Sequence, residues 1–283
     1  MDRRLPLVVA ALATVACAGH RPTTPAPARP AQAVPAEPAV REPATLRFVS
    51  GNSRYRVEQS THVTQEVMGQ VNEADLTARQ LLSTVASDAA GRLALAVTVD
   101  SIEVTGPTGA DPSLAVARGR TFRLVLSPSG AVVSVEAPDS ANPVMQQFGA
   151  GLREFFPVLP VGRAEAGAAW TDTVSTSRSG EATVATQSVR QHRVVGWEDH
   201  EGVRALHLET TSTYTVSGST EAQGQAVELS GGGQSVRDAF VSAAGVFLGS
   251  VERDSALVNA NVTAMGLNVP VRQSRRATVT RLP

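Results

Sequence analysis

Residues 93–104, Leu93-Ala-Leu-Ala-Val-Thr-Val-Asp-Ser-Ile-Glu-Val104, decide the fold class. Leu93, Leu95, Val97 and Val99 alternate with Ala94, Ala96, Thr98 and Asp100. Strict period-two alternation places one side-chain set on a buried face and the other on an exposed face, which is the pattern of a β-strand. Beyond Asp100 the apolar set moves to Ile102 and Val104. One face of a strand cannot change parity without an extra residue, so the sequence predicts a β-bulge near Asp100.

The same alternation extends outward in both directions. Leu206, Leu208, Tyr214 and Val216 keep one parity through a second long strand. Further strands are expected at Tyr55–Glu66, Arg120–Leu126, Ala131–Glu136, Ala169–Ser175, Ala182–Val195, Val246–Leu257 and Val269–Val279, each bounded by Gly, Pro or Asp. Leu76–Ala86 reads equally as helix or strand. The fold class is therefore mainly β: a long-stranded antiparallel curved sheet or half-barrel. Two segments hint at internal duplication. The run from Gly91 to Gly106 resembles that from Gly202 to Gly218, and Phe122 with Ser127-Pro-Ser-Gly130 resembles Phe240 with Ser242-Ala-Ala-Gly245. Each half would be a β-meander, although chance similarity among simple strands gives the same match.

One stretch departs from the pattern. Between Pro138 and Pro160, Val144, Met145, Phe148, Leu152, Phe155 and Phe156 recur at helical spacing. Asp139, Ser140 or Asn142 can cap the start, the last with Pro143 at the first helical position. Pro157 and Pro160 stop it. One main apolar helix is expected near residues 139–156.

Composition excludes several functions. A net charge of −1 argues against a nucleic-acid binder. The chain contains no lysine, so a phosphate loop ending in Gly-Lys-Ser/Thr is absent, as are a Gly-x-Ser-x-Gly elbow and a His-Glu-x-x-His zinc helix. His192, His200 and His207 bracket Glu198 and Asp199, but Trp197–Gly202 reads as a polar turn between strands rather than as a metal site. Gly231-Gly-Gly233 reads as a flexible hairpin tip rather than as an anion cradle. An aromatic content of 4% does not supply the girdles of an outer-membrane barrel. No cofactor, no metal and no enzymatic activity are expected.

The N-terminus carries a different signal. Arg3 and Arg4 precede an apolar or small run from Leu5 to Val15, too short to span a bilayer. Val15-Ala16-Cys17-Ala18 resembles the lipobox of bacterial lipoproteins, with Thr14 departing from the usual leucine. That resemblance implies a signal peptide over 1–16, lipidation of Cys17, and cleavage just before it. Residues 17–44 form a Pro-rich tether that cannot build a core and extends at about 3.1 Å per residue. A single β domain follows over 45–283.

These features, together with Leu159-Pro-Val-Gly162 and Gly167-Ala-Ala-Trp170-Thr-Asp172, are similar to an uncharacterised family of bacterial lipoproteins. In architecture alone they resemble the half-barrel lipoprotein carriers. The resemblance implies a lipid-anchored envelope protein with no enzymatic role, acting as a structural or interaction module, with an envelope protein as partner. The alternative is a carrier. If the curved sheet is wider than one helix can cover, an apolar cavity remains, and Val144, Met145, Phe148, Leu152, Phe155 and Phe156 would divide between sheet contact and lining a lipid site. Ala18 after the cysteine is not Asp, which implies delivery to the outer membrane, facing the periplasm.

Overall fold

The computed structural model describes residues 42–43, 45–107, 109–110, 112–178, 182–222 and 225–283. Twelve strands and one α-helix follow in chain order. They are β1 (Gly51–Val67), β2 (Gln70–Ala89), β3 (Arg92–Gly106), the short β4 (Gly109–Ala110), β5 (Thr121–Leu126), β6 (Val132–Glu136), α1 (Pro143–Leu152), β7 (Ala169–Arg178), β8 (Ala182–His200), β9 (Val203–Ala222), β10 (Gln225–Ser242), β11 (Phe247–Val262) and β12 (Leu267–Leu282). All join one antiparallel curved sheet in the order β6-β5-β3-β2-β1-β12-β11-β10-β9-β8-β7, with β4 attached to β3.

The order records how the chain travels. It starts in the middle of the sheet at β1 and meanders outward through adjacent hairpins to one edge at β6. Residues 137–168, which include α1, then cross to the opposite edge at β7. A second meander returns to the middle, where β12 pairs with β1 in register from Arg54–Leu282 to Gln65–Val271.

The crossover forces the curvature. Phe148 of α1 stacks on Phe122 of β5 with ring centroids 6.1 Å apart. Farther along, Phe155 meets Tyr55 of β1 at 5.3 Å and Phe247 of β11 at 5.8 Å. One short segment therefore touches both wings, and the sheet wraps around it. Its inward parity supplies the core: Val97, Val99, Phe122, Leu124, Leu126, Val194, Leu206, Leu208, Val241 and Phe247 are all essentially solvent-free.

The bulge sits where the parity change places it. Leu81 pairs with Ser101 while Leu82 pairs with Val99, leaving Asp100 without a partner in the ladder. The Ser83 hydroxyl donates to Asp100 at 2.7 Å, and Val99 and Ile102 both stay buried. The stretch that reads equally as helix or strand lies within β2. The helix is shorter than expected. Asn142 caps it, its Oδ1 accepting from the Val144 N–H at 2.9 Å, with Pro143 at the first helical position. It ends at Leu152, so Phe155 and Phe156 lie past its end, where the chain turns through 153–156.

The duplication survives at the turns. The Ser127 N–H donates to Ala131 O at 2.8 Å and the Ser127 hydroxyl accepts from the Ala131 N–H at 3.1 Å; Ser242 and Val246 repeat both bonds at the same lengths. Gly130 and Gly245 adopt φ of 84° and 80°, a left-handed conformation that glycine reaches without strain. Gly91 and Gly202 each close a two-residue hairpin turn after a positive-φ residue, Ala90 or Glu201. The match fails elsewhere. Phe122 points into the core, whereas Phe240 points outward against His200 and His207.

The expected hairpin tip at Gly231–Gly233 lies instead in the middle of β10. A Cβ at Gly231 would meet Leu257 O at 2.2 Å, and one at Gly232 would meet Tyr214 O at 2.4 Å. Neighbouring backbone approaches too closely here for any side chain, so these glycines permit a tight coil of the sheet rather than a turn.

Candidate functional site

Above the apolar crossover, the inward parity of the same strands becomes polar. On β7 and β8, Asp172 and Arg190 face each other across the ladder. The Arg190 guanidinium donates to both Asp172 oxygens, from Nε at 2.7 Å and Nη2 at 2.6 Å. Glu154 of the crossover stands 3.8 Å from Arg190. Burial works against the Asp172 charge, but the Arg190 bonds outweigh it and hold the carboxyl below the usual aspartate range. Burial likewise opposes the charge of Arg190, and the bonds from Asp172 override it.

His192 lies two residues along β8 on the same face. Its ring stacks on Trp170 at 5.1 Å and its Nδ1 lies 2.9 Å from Thr210 Oγ1. Burial pushes its pKa down despite Asp172, so the ring is neutral at pH 7. Thr210, His192 and Asp172 follow the order of a nucleophilic triad. The arrangement cannot complete one. Thr210 sits mid-strand with β8 on one side and β10 on the other, so the ladder consumes the backbone N–H groups that an oxyanion hole requires. Asp172 is also engaged by Arg190 through both oxygens.

The layer continues across β9 to β12. The Arg237 guanidinium donates to the Glu154 and Phe155 carbonyls and, at 3.1 Å, to the Ser250 hydroxyl. It lies 5.9 Å over the Phe247 ring. Burial lowers its pKa, partly offset by Glu252 and Glu154. Glu252 accepts from Arg275. The Tyr214 hydroxyl donates to Asp254 at 2.9 Å. Burial raises the Asp254 pKa against the pull of Arg275, and burial with the Asp254 charge raises Tyr214 well above its ordinary value. Gln59, Thr61, Ser188 and Ser212 complete the inward polar surface, all below one-tenth exposed.

None of these ionic residues stands out as a motif in the sequence. The signal that could have found them is parity: Arg190 and His192 precede Val194, and Arg237 precedes Ala239 and Val241, all on the inward face.

The residues expected to line a lipid cavity lie elsewhere. Met145, Leu152, Phe155 and Phe156 are each below one-tenth exposed within the core, and Val144 and Phe148 pack against it. Phe156 touches Phe48 and Phe247 edge-on or tilted at 5.8 and 5.6 Å. Two hollows of the fold lie away from all six. One, of about 490 Å³, crosses the outward face of β9 to β12 and β1 beside His62, Gln234 and Arg272. The other, of about 440 Å³, lies beside Trp197 and Arg204.

The three histidines do not converge. His192 faces inward, while His207 bonds Asp238 at 3.0 Å on the outward face and His200 stacks on Phe240. Asp199 closes the turn by accepting from the Gly202 N–H at 3.0 Å. Among the described residues there is no group of metal-ligating side chains. The expected leader over 1–16, Cys17 and most of the expected tether over 17–44 fall outside the described residues.

No family model matches the chain, and no curated protein matches it. Among solved structures it is similar to OccK2 (OpdF) of Pseudomonas aeruginosa, at 7% identity and a TM-score of 0.30 over 82% of this chain and 98% of that one. It is also similar to OpdO of Pseudomonas aeruginosa, at 8% identity and a TM-score of 0.21 over 82% of this chain and 97% of that one. Neither is a half-barrel lipoprotein carrier. The expected resemblance to lipoprotein carriers is corrected, together with the roles of structural module and lipid carrier, and the comparisons lend no support to the lipoprotein and signal-peptide readings.

Proposed function

We propose that the protein binds a polar, hydrogen-bonding solute along its concave face, without catalysis, standing in water at the periplasmic side of the outer membrane. One observation carries this reading. The inward parity of β7 to β12 and β1 bears Asp172, Arg190, His192, Tyr214, Arg237, Asp254 and Gln59 at depths where a closed core would bury aliphatic side chains. Gln59 Oε1, Trp170 Nε1 and Arg237 Nε, buried without a hydrogen-bond partner among the described residues, offer a solute donors and an acceptor rather than an apolar slot.

The outward face supports placement in water. Arg54, Arg56 and Glu58 of β1, Arg253 of β11, and Arg272 and Arg276 of β12 all take the outward parity. In a bilayer each arginine at the midplane would cost about 2–4 kcal/mol. The edge strands β6 and β7 are also not paired with each other among the described residues.

Trp170 reports on the site because it stacks on His192. A Trp197→Phe variant leaves Trp170 as the sole tryptophan. Titration with neutral oligosaccharides, amino acids and dicarboxylates should shift its emission with at least one class, and Arg190→Gln should weaken that response. No response to any class would overturn the proposal.

A further inference from the structure

The two edges of the sheet are built differently. At one edge β6 is five residues long, its neighbour β5 is bulged between Val125 and Leu126, and α1 covers it, with Gly149 against Val135. Shortness, a bulge and a cover are the devices by which an edge avoids pairing. At the other edge β7 runs for ten residues, pairs with β8 without a register shift, and contains no proline. From Thr173 to Ser177 it carries no charge either.

The hydrogen-bonding groups of β7 that pair with no strand among the described residues can be assigned. The Val194 N–H donates to Ala168 O, and antiparallel bonding alternates, so the even residues of β7 bond β8. The N–H and C=O groups of Thr171, Thr173, Ser175 and Ser177 then point away from the sheet. Their side chains are exposed on the outward face.

We propose that this edge pairs with β7 of a second copy of the chain, antiparallel about a two-fold axis at Val174, to make one continuous sheet. That register sets Thr173 opposite the copy's Ser175 and Thr171 opposite its Ser177, as hydrogen-bonded pairs on the outward face. On the inward face Val174 meets its own equivalent and Asp172 meets Thr176. No like charges oppose each other, and cross-strand Thr–Ser pairs are favourable neighbours. Two-fold pairing of identical edges closes at a dimer and leaves no further free β7 edge.

Sedimentation velocity on the full chain across a concentration series tests this, and a dimer is expected. Thr173→Pro removes only an outward donor and leaves the β8 ladder intact. It should weaken the dimer by about tenfold or more while the melting curve changes little. A Thr173→Lys, Ser175→Lys double variant places lysines opposite each other and should be monomeric. Thr173→Lys with Ser175→Glu places opposite charges across the same pairs and should restore the dimer. A wild-type monomer at every concentration overturns the proposal. So does a dimer insensitive to both Thr173→Pro and the double lysine variant, and failure of the Lys–Glu variant to recover association overturns the register.

Discussion

Removing the Arg237 guanidinium should loosen the crossover from the sheet. The side chain donates to two crossover carbonyls, Glu154 O and Phe155 O, and to Ser250 Oγ. Arg237→Met keeps an apolar stem beside Phe247 but strands these acceptors, each worth about 1–3 kcal/mol when left buried and unbonded. Ser250 can rotate its hydroxyl to a new partner, and water can replace the bond at the carbonyl of exposed Glu154, so the loss should be about 2–4 kcal/mol rather than the roughly 2–6 of two fully buried acceptors. Glu252 keeps Arg275, so no carboxylate is orphaned and the change should not exceed the roughly 3–5 kcal/mol of a fully broken buried pair. For a domain of this size that corresponds to about 4–16 °C in Tm. Urea unfolding followed by tryptophan emission measures it directly, with an unchanged m-value confirming that the folded state is intact. A loss under about 1 kcal/mol would refute the reasoning, because the crossover would then be held by its phenylalanines alone.

Other expectations follow from single contacts. Phe156→Ala should cost about 3–5 kcal/mol in the same urea assay, because the ring is packed on Phe48, Tyr55, Phe155 and Phe247 rather than lining a cavity. Gly232→Ala should cost about 1–3 kcal/mol, since the new methyl meets the Tyr214 carbonyl, and a smaller loss would mean that β9 and β10 separate easily there. Asp172 has a folded pKa below its unfolded value, so its contribution is present above the unfolded pKa of about 3.9 and disappears as pH falls through the folded value. Asp172→Asn should therefore flatten the acid limb of a stability-versus-pH curve and lower its neutral plateau. Asp254 has the opposite sign: its raised pKa means stability falls as pH rises from the unfolded value through the folded one. Asp254→Asn keeps an acceptor for Tyr214 and should be neutral or stabilising at pH 7, as read by thermal melts.

The sequence was most legible where parity is strict. The shift from Val99 to Ile102 located the bulge because a buried face permits only one register. The helix was legible through Asn142-Pro143, but its end was not. Phe155 and Phe156 continue a helical spacing by chance, and tertiary packing against Tyr55 and Phe247 takes them out of the helix. Gly231–Gly233 misled because glycine marks both turns and close backbone approach, and only the positions of β9 and β11 distinguish the two. The ionic layer was hidden for another reason. Asp172, Arg190, Arg237, Glu252 and Arg275 lie on different strands, and what joins them is pairing register, which a linear reading does not contain. The resemblance to lipoprotein carriers rested on architecture without a diagnostic motif, and architecture is shared by proteins of many functions.

The seam between β1 and β12 has a consequence for how the molecule assembles. Every other adjacent pair of long strands is joined by a short connection and can zip as soon as both strands exist. Tyr55 and Arg281, by contrast, are partners from opposite ends of the chain. Each wing is a chain of local hairpins, inexpensive in loop entropy, while the central seam must wait for the last sixteen-residue strand. Until then β1 presents a bare edge in the middle of the future sheet. A molecule halted before Leu267 would hold two finished wings with an unsatisfied strand between them, a natural target for a holding chaperone during synthesis.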